Sequence, residues 1–315
     1  MSEKTKISIV IPVYNGEKSI ANLVDELVNS LASLYKLEIV LVNDCSPDNS
    51  ESECIISYHK HSEIVKFYSL SKNVGEHNTV MAGLNNATGD FVVIMDDDFQ
   101  NPVSEVVKLV DRAIHSECDV VYTYYDKKKH SWLRNLGSKF NDKVATILLK
   151  KPADLYLSSF KIINKFLVNE IITYDLPYPY IDGLILRTTS NIDKIKVLHH
   201  NRKEGQSNYT VRKLISLWLN MFTNFSVLPL RFSMILGFVF SVFGFLYGIF
   251  AVIEKLINPE IPLGYTTIIV FITMFSGIQL IALGMVGEYL GRMFMSQNKK
   301  PQYSIKKSFV STTWK

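Results

Sequence analysis

The sequence predicts an α/β domain with a mostly parallel sheet, followed by two helices that cross a membrane. Short apolar strands alternate with helical segments as far as Tyr122, which is the pattern of repeated βα units with right-handed crossovers. Two later stretches, Phe232–Ile253 and Leu263–Gly287, contain no Asp, Glu, Lys, Arg or His. Each is longer than the ~20 apolar residues that a helix needs to span a bilayer.

The strands and helices of the first part of the chain follow one another in order. The strands are short runs of branched and aromatic residues bounded by polar turns, and we predict them at Ile7–Val13, Leu37–Val42, Val65–Leu70, Phe91–Met95 and Asp119–Tyr122. The helices lie between them, and we predict them at Glu17–Leu34, Ser50–Lys60, Gly75–Ala87 and Pro102–His115.

The two uncharged stretches carry much of the hydrophobic content, which is 47% of the 315 residues. Buried core helices are the alternative interpretation, but such helices seldom extend this far without a charge. Basic residues flank the stretches, and by the positive-inside rule both termini face the cytoplasm of a multi-pass inner-membrane protein. The net charge of +4 then reflects membrane anchoring, so nucleic acid is not an expected partner.

The sequence divides into a cytosolic domain at 1–230, a two-helix membrane region at 231–291 and a basic cytosolic tail at 292–315. Two amphipathic stretches, near 131–149 and 211–230, have apolar residues at helical spacing with basic residues beside them. We predict that both are interfacial helices lying on the membrane surface. Helices packed on the sheet are the alternative.

Three carboxylates follow the predicted strand Phe91–Met95, in the segment Asp96–Pro102. Adjacent like charges at the end of a buried strand raise each other's pKa, and partial burial adds to the cost of ionisation. A hard divalent cation such as Mg²⁺ or Mn²⁺ removes that cost. The alternative is an acidic turn that precedes a helix beginning at Pro102.

Polar residues also follow the first two strands, at Tyr14–Glu17 and Asn43–Asp44. The carboxyl ends of parallel strands lie at one edge of a sheet, where open α/β sheets bind ligands. This arrangement suits a nucleotide. The chain has no Walker A motif, and no G-x-G-x-x-G follows its first strand, so a metal would have to hold the phosphates.

Four segments together resemble glycosyltransferase family 2 and, within it, the polyprenyl-phosphate glycosyltransferases: Ile11–Asn15, Val42–Asp48, Asn73–His77 and Asp96–Pro102. The resemblance covers nearly the whole chain. It implies a GT-A (Rossmann-like) fold and inverting transfer of a sugar from a nucleotide-sugar, with a UDP-sugar favoured. The implied acceptor is a membrane polyprenyl phosphate, with undecaprenyl phosphate favoured, for cell-envelope glycan or lipid modification.

The resemblance also implies roles for individual residues. The nucleotide would contact Pro12, Tyr14, Asn15, Glu17, Asp44, Ser46, Asp96 and Asp97. The metal would be bound by Asp96, Asp98 and Gln100. The acceptor phosphate would meet Arg134, Ser138 and Arg202. The catalytic group would comprise Asp96, Asp98, Asp154, Arg134 and Arg202. A homo-tetramer and a flippase partner are further implied.

Two positions depart from the family pattern. The middle of the Asp run is usually a small residue, but here it is Asp97. Relatives often carry an Asp before a Phe-Arg pair as a base, whereas this chain has Ser159 before Phe160 and Lys161, with Asp154 the nearest acid. A phosphate monoester carries about −1.5 to −2 charge at pH 7, so the acceptor does not require a base.

Two other functions remain open from the residues. A processive polysaccharide synthase combines this fold with membrane helices, but it usually carries a Gln-x-x-Arg-Trp motif that is absent here. A non-catalytic subunit that binds a nucleotide-sugar and supports a flippase is the second alternative. The complete set of Asp96, Asp98 and Gln100 argues against it.

Overall fold

The computed structural model describes residues 4–125, 146, 151–152, 154–198, 200, 228–258, 260, 264–298 and 301–311. The chain forms two compact units, Met1–Leu214 with Lys300–Lys315, and Ile215–Lys299. The predicted interfacial helix near 131–149 lies outside the described residues except for residue 146, and the one near 211–230 does so except for 228–230. Arg134, Ser138 and Arg202 also lie outside them.

The first unit is built on a sheet whose eight described strands run in the order β7-β5-β6-β4-β1-β2-β3-β8. Their bounds are Lys6–Val13 (β1), Lys36–Asn43 (β2), Val65–Leu70 (β3), Phe91–Ile94 (β4), Val120–Tyr124 (β5), Lys161–Asn164 (β6), Ile192–Lys196 (β7) and Ile305–Phe309 (β8). The helices of this unit are Ile20–Leu31 (α1), Ser50–Lys60 (α2), Glu76–Asn86 (α3), Val103–Ser116 (α4), Lys165–Ile172 (α5) and Ile181–Thr188 (α6). The predicted alternation of strands and helices up to Tyr122 is confirmed.

The strand order reverses at β1, and this reversal fixes where a ligand would bind. The chain moves outward from β1 to β2 and β3, and then returns to place β4 parallel to β1 on its other side. Open α/β sheets bind ligands beyond the carboxyl ends of the strands at such a switch point. The loops after β1 and β4 therefore border the expected crevice.

The core beside β1 is apolar. Ile9 and Ile11 are fully buried, as are Leu23, Val24 and Leu27 of α1. The α1 residues recur at spacings of one, three and four, so that one face of the helix covers the sheet. Rigid packing of this kind holds the carboxyl ends of β1 and β4 in fixed positions.

Two strands are antiparallel and were not predicted from the sequence. β6 pairs antiparallel with both β4 and β5, and β8 pairs antiparallel with β3 at an edge of the sheet. β8 lies within the segment 292–315, which is predicted as a basic tail. Phe309 stacks on Phe67 at 5.8 Å between ring centroids, and Lys307 forms an ion pair with Glu51.

The second unit contains two long apolar helices, Leu228–Ile257 (α7) and Tyr265–Gln297 (α8). Each is long and apolar enough to cross a membrane, with mean hydropathy of 2.0 over Ser233–Phe250 and 1.2 over Met274–Gln297, and neither window is buried. The exposed apolar surface distinguishes them from core helices of a soluble domain. α8 continues past the predicted end at Gly287. Within the unit, the Tyr247 and Phe271 rings lie 5.0 Å apart.

A buried polar cluster lies at the amino-terminal edge of the sheet, opposite the edge formed by the carboxyl ends of the parallel strands. The Glu38 carboxylate accepts hydrogen bonds from the Thr88 N–H at 2.8 Å and from the Ser8 hydroxyl, and it lies 2.5 Å from Lys66 Nζ. Burial acts to raise the pKa of Glu38, but the bonds from Lys66, Ser8 and Thr88 outweigh it and hold the pKa below its ordinary value. The charge pair is therefore fully compensated inside the protein.

This cluster predicts unequal effects of single and double substitutions. Glu38→Leu leaves Lys66 without its buried carboxylate and should cost about 3–5 kcal/mol of folding stability, whereas Glu38→Leu/Lys66→Met should cost much less. Thermal unfolding of the detergent-solubilised protein measures both. Because the folded-state pKa of Glu38 is lowered, its contribution is present above the unfolded pKa and is lost as the pH falls. The double variant should therefore lose less stability in acid than the wild type.

A double variant that melts no higher than Glu38→Leu would contradict this account of the cluster.

Candidate active site at the carboxyl edge of the sheet

The loops after β1, β2 and β4 each contain a non-glycine residue in the left-handed region. These are Asn15 with φ 60°, Cys45 with φ 52° and Phe99 with φ 58°. Such conformations cost of order 1–3 kcal/mol and persist where the surrounding structure enforces them, often at functional sites. Three of the five non-glycine residues with positive φ among the described residues therefore lie at the edge that the sequence predicts as the nucleotide site.

The loops after β1 and β2 are joined by hydrogen bonds. The Asn15 N–H donates to Ser46 Oγ at 3.3 Å, and the Glu17 N–H donates to the Asp48 carboxylate at 3.2 Å. In return, the Asn49 N–H donates to the Glu17 carboxylate at 3.1 Å. The structure thus brings together Asn15, Glu17 and Ser46, three of the predicted nucleotide-binding residues.

Pro12 and Tyr14 lie beside them. Pro12 pairs in register with Val42 of β2, and Tyr14 directly follows β1 with 37% of its surface exposed. An exposed aromatic ring at the carboxyl end of a central strand is available to a ligand. Their roles toward a nucleotide stay predictions.

Asp44 anchors the loop that precedes α3. Its buried carboxylate accepts hydrogen bonds from the Val74 N–H at 2.7 Å and the Gly75 N–H at 3.0 Å. Burial raises the pKa of Asp44, and these two bonds act against that rise. Both carboxylate oxygens already accept bonds from this loop, so Asp44 has a structural role besides the base contact predicted for it.

Asp96 and Ser159 face each other across the end of the β4–β6 pair. The antiparallel register places Ile94 opposite Lys161, and two residues further on the Ser159 hydroxyl donates to Asp96 Oδ2 at 2.7 Å. Burial, and then the neighbouring Glu76 and Asp98 carboxylates, raise the pKa of Asp96 to about 7. Glu76 and Asp98 therefore add negative potential at Asp96.

Asp98 and Gln100 form the turn that follows Asp96. The Gln100 N–H donates to Asp98 Oδ1 at 3.1 Å, which stabilises the left-handed Phe99 between them. The Gln100 carbonyl accepts a hydrogen bond from the His200 N–H at 2.8 Å. His200 therefore contacts this turn, whereas Arg202 lies outside the described residues.

Asp97 has a local structural explanation. It is 9% exposed, and a Cβ built on Gly16 would overlap the Asp97 carboxylate and would lie 3.2 Å from Val13 Cγ1. The Asp97 side chain thus packs against the backbone of the loop after β1. The Asp97 side chain fits at this position because residue 16 is glycine.

A second buried charge pair includes Lys161, two residues after Ser159. Lys161 forms an ion pair with Asp182, and the Tyr122 hydroxyl donates to Asp182 at 2.9 Å. Sequence reasoning missed this cluster, because β6 and α6 were not predicted. The available signal was a lysine among the apolar residues Phe160, Ile162 and Ile163.

His77 borders this cluster from the start of α3. Its ring meets Tyr180 edge-on, with the centroids 5.0 Å apart. Burial lowers the pKa of His77 to about 4, while Asp182 acts to raise it and Lys161 acts to lower it further. His77 is therefore a neutral imidazole near pH 7.

Asp154 pairs with Lys194 at the protein surface, and its side chain is 74% exposed. The hydrogen bond from Lys194 lowers the pKa of Asp154. A carboxylate with a lowered pKa is a weaker proton acceptor. The predicted role of Asp154 as a base therefore gains no support from this geometry.

The donor set at the end of β4 fits a divalent cation that is shared with substrate phosphates. Among the residues that the structure describes, no group of three or more His, Cys, Asp or Glu side chains could hold a metal by itself. Mg²⁺ and similar ions are commonly bound by one or two carboxylates together with phosphate oxygens. Asp96 and Asp98 supply two carboxylates, and the neighbouring Glu76 carboxylate adds negative potential at Asp96, which favours a bound cation.

Paired carboxylates at the switch point of a mostly parallel sheet with antiparallel β6 are the arrangement of a GT-A glycosyltransferase domain. The chain belongs to the family described as Glycosyl transferase family 2, whose model matches residues 8–172. The protein is therefore an enzyme of the transferase class.

Two similar relatives share most of the chain's length. The undecaprenyl-phosphate 4-deoxy-4-formamido-L-arabinose transferase of Proteus mirabilis (strain HI4320) is 32% identical over 305 residues, covering 96% of this chain and 93% of that protein. The enzyme of the same name from Serratia proteamaculans (strain 568) is 30% identical over 306 residues, with the same coverage.

Solved structures confirm the fold. The glucosyl-3-phosphoglycerate synthase of Mycobacterium tuberculosis in complex with uridine diphosphate is 18% identical, with a TM-score of 0.52 over 69% of this chain and 79% of that one. The same enzyme with Mn²⁺ and UDP-glucose gives a TM-score of 0.50 at 18% identity, with the same coverage of both chains.

The packing of Asp97 on Gly16 predicts a compensating pair of substitutions. Gly16→Ala should destabilise the protein by about 1–3 kcal/mol, since the new methyl group displaces a buried carboxylate. Gly16→Ala/Asp97→Ala should recover most of that loss. Melting temperatures of the wild type, both single variants and the double variant measure the coupling between the two positions.

Equal destabilisation of Gly16→Ala in the presence and absence of the Asp97 carboxylate would show that the two residues do not interact.

Proposed function

We propose that this protein transfers a sugar from a nucleotide-sugar, with inversion, to a membrane polyprenyl phosphate. One observation carries the proposal: the Asp96–Gln100 turn lies at the switch point of a family 2 domain whose chain continues into two exposed apolar helices. The first feature suits a nucleoside diphosphate with a cation. The second suits an acceptor that resides in a bilayer.

The donor is proposed to be a UDP-sugar bound across the loops after β1, β2 and β4. The solved neighbour binds uridine diphosphate and, in another complex, Mn²⁺ with UDP-glucose, which supports this donor class. Asp96, Asp98 and Gln100 would hold Mg²⁺ or Mn²⁺ and the diphosphate. When bound, the cation would neutralise charge on the departing nucleoside diphosphate.

The acceptor is proposed to be undecaprenyl phosphate, which is the lipid in the names of both relatives. A phosphate monoester is already anionic at pH 7, so the protein needs to hold it in line with the anomeric carbon rather than deprotonate it. A single in-line displacement inverts the anomeric configuration. Arg134, Ser138 and Arg202 would contact the acceptor phosphate.

The cellular setting follows from the same proposal. The enzyme would lie in the inner membrane with its catalytic domain and both termini in the cytoplasm, and its product would serve cell-envelope glycan or lipid modification. A homo-tetramer and a flippase partner belong to this proposal through family resemblance. The choice of sugar is proposed to depend on a pocket formed by residues 154–161 and 178–183.

The proposal predicts a lipid-linked product. Membranes that contain the protein should move label from one of a panel of radiolabelled UDP-sugars into an organic-extractable lipid when polyprenyl phosphate and Mg²⁺ or Mn²⁺ are present. Asp98→Ala should lower this transfer by about 100-fold or more, since it removes electrostatic stabilisation of the diphosphate. Asp25→Ala is the matched control, because Asp25 pairs with Lys60 on the surface.

Label in an insoluble polymer would support a processive synthase instead, and no label with any donor would favour a non-catalytic subunit. Wild-type activity of Asp98→Ala would overturn the assignment of the metal site.

A further inference from the structure

Ser159 occupies a position that the sheet register determines. In the β4–β6 pair, Ile94 lies opposite Lys161 and Val93 lies opposite Ile162. Continuing this register beyond the strand ends places Ser159 opposite Asp96, where its hydroxyl donates to Asp96 Oδ2 at 2.7 Å. The contact therefore continues the register of the β4–β6 pair two residues beyond its last paired residues.

The residues on both sides of Ser159 are fixed. Phe160 is fully buried, and Lys161 is held by the ion pair with Asp182. On the other side, Ser158 Oγ lies 3.0 Å from the Thr123 and Tyr125 hydroxyls. Because burial and these contacts hold its neighbours, the backbone at Ser159 is held in place, and its hydroxyl donates to Asp96.

The chemistry of the donor matters because the site is already crowded with negative charge. Glu76 and Asp98 both act on Asp96 electrostatically. A hydroxyl supplies a hydrogen bond to the Asp96 carboxylate without adding charge. The bond to Oδ2 also restricts the orientation in which the Asp96 carboxylate can face a cation.

We propose that Ser159 is a positioning residue for the cation and diphosphate site, acting through Asp96. This inference rests on the proposed function for the identity of the bound group. Groups that orient a metal-binding carboxylate typically contribute about 10- to 100-fold to metal affinity. Loss of the Ser159 hydroxyl should therefore weaken cation binding while leaving the fold intact.

The test compares side chains of the same shape with and without the hydroxyl. Ser159→Thr and Ser159→Val differ only in hydroxyl against methyl, so any steric effect of the branched side chain is common to both variants. Binding of Mn²⁺ to the full-length protein in detergent, with UDP present, is measured by electron paramagnetic resonance. Ser57→Ala is the matched control, because the buried Ser57 hydroxyl donates a 2.9 Å hydrogen bond within α2, outside the site.

The proposal predicts that Ser159→Val binds Mn²⁺ about 10- to 100-fold more weakly than the wild type, whereas Ser159→Thr and Ser57→Ala bind it as the wild type does. Equal Mn²⁺ affinities of the Thr and Val variants would overturn it, whether both variants match the wild type or both bind Mn²⁺ more weakly. Because Mn²⁺ binding is measured without sugar transfer, its result is independent of the result of the lipid-label assay. A wild type that binds Mn²⁺ with UDP but labels no lipid would contradict the proposed function and leave the role of Ser159 standing.

Discussion

Crowded carboxylates at the carboxyl end of β4 are the constraint on which the rest of the site depends. Three consecutive aspartates there, with Glu76 nearby, would repel one another and resist burial. The protein gives each aspartate a different environment. Asp97 packs on Gly16, Asp98 accepts the turn N–H of Gln100, and Asp96 accepts the Ser159 hydroxyl. The remaining negative potential around Asp96 is what a bound cation would neutralise.

Outside the carboxylate cluster, the protein compensates its buried charges in ion pairs. Lys161 lies near Asp96 but forms an ion pair with Asp182. The Asp182 carboxylate therefore offsets most of the positive charge of Lys161. At the opposite edge of the sheet, Glu38 and Lys66 compensate each other while fully desolvated. Buried pairs of this kind contribute little net stability but penalise any packing that separates them. The sheet is therefore rigid, and it supports the strained loops that follow β1, β2 and β4.

Sequence patterns predicted the elements whose formation depends on residues close together in the chain. The apolar strands from Ile7 to Tyr122, the Asp96–Gln100 turn and the two uncharged helices each have a signal within one segment. β6 and β8 do not, because their pairing is set by distant strands. β8 contains only two apolar residues among the five from Ile305 to Phe309, and its lysines resemble those of a solvated tail, although such lysines also protect edge strands. The ion pair of Asp154 with Lys194 depends on β7, which sequence reasoning also missed.

The central claim is that the Asp96–Gln100 turn binds a divalent cation together with the diphosphate of the donor. An experimental density map of the full-length protein with Mn²⁺ and UDP, with the anomalous signal of manganese used to locate the ion, tests it most directly. The account predicts one manganese peak in contact with Asp96 or Asp98 and with the diphosphate oxygens. A nucleotide bound at this edge without manganese at either carboxylate, or a manganese peak elsewhere in the domain, would contradict it.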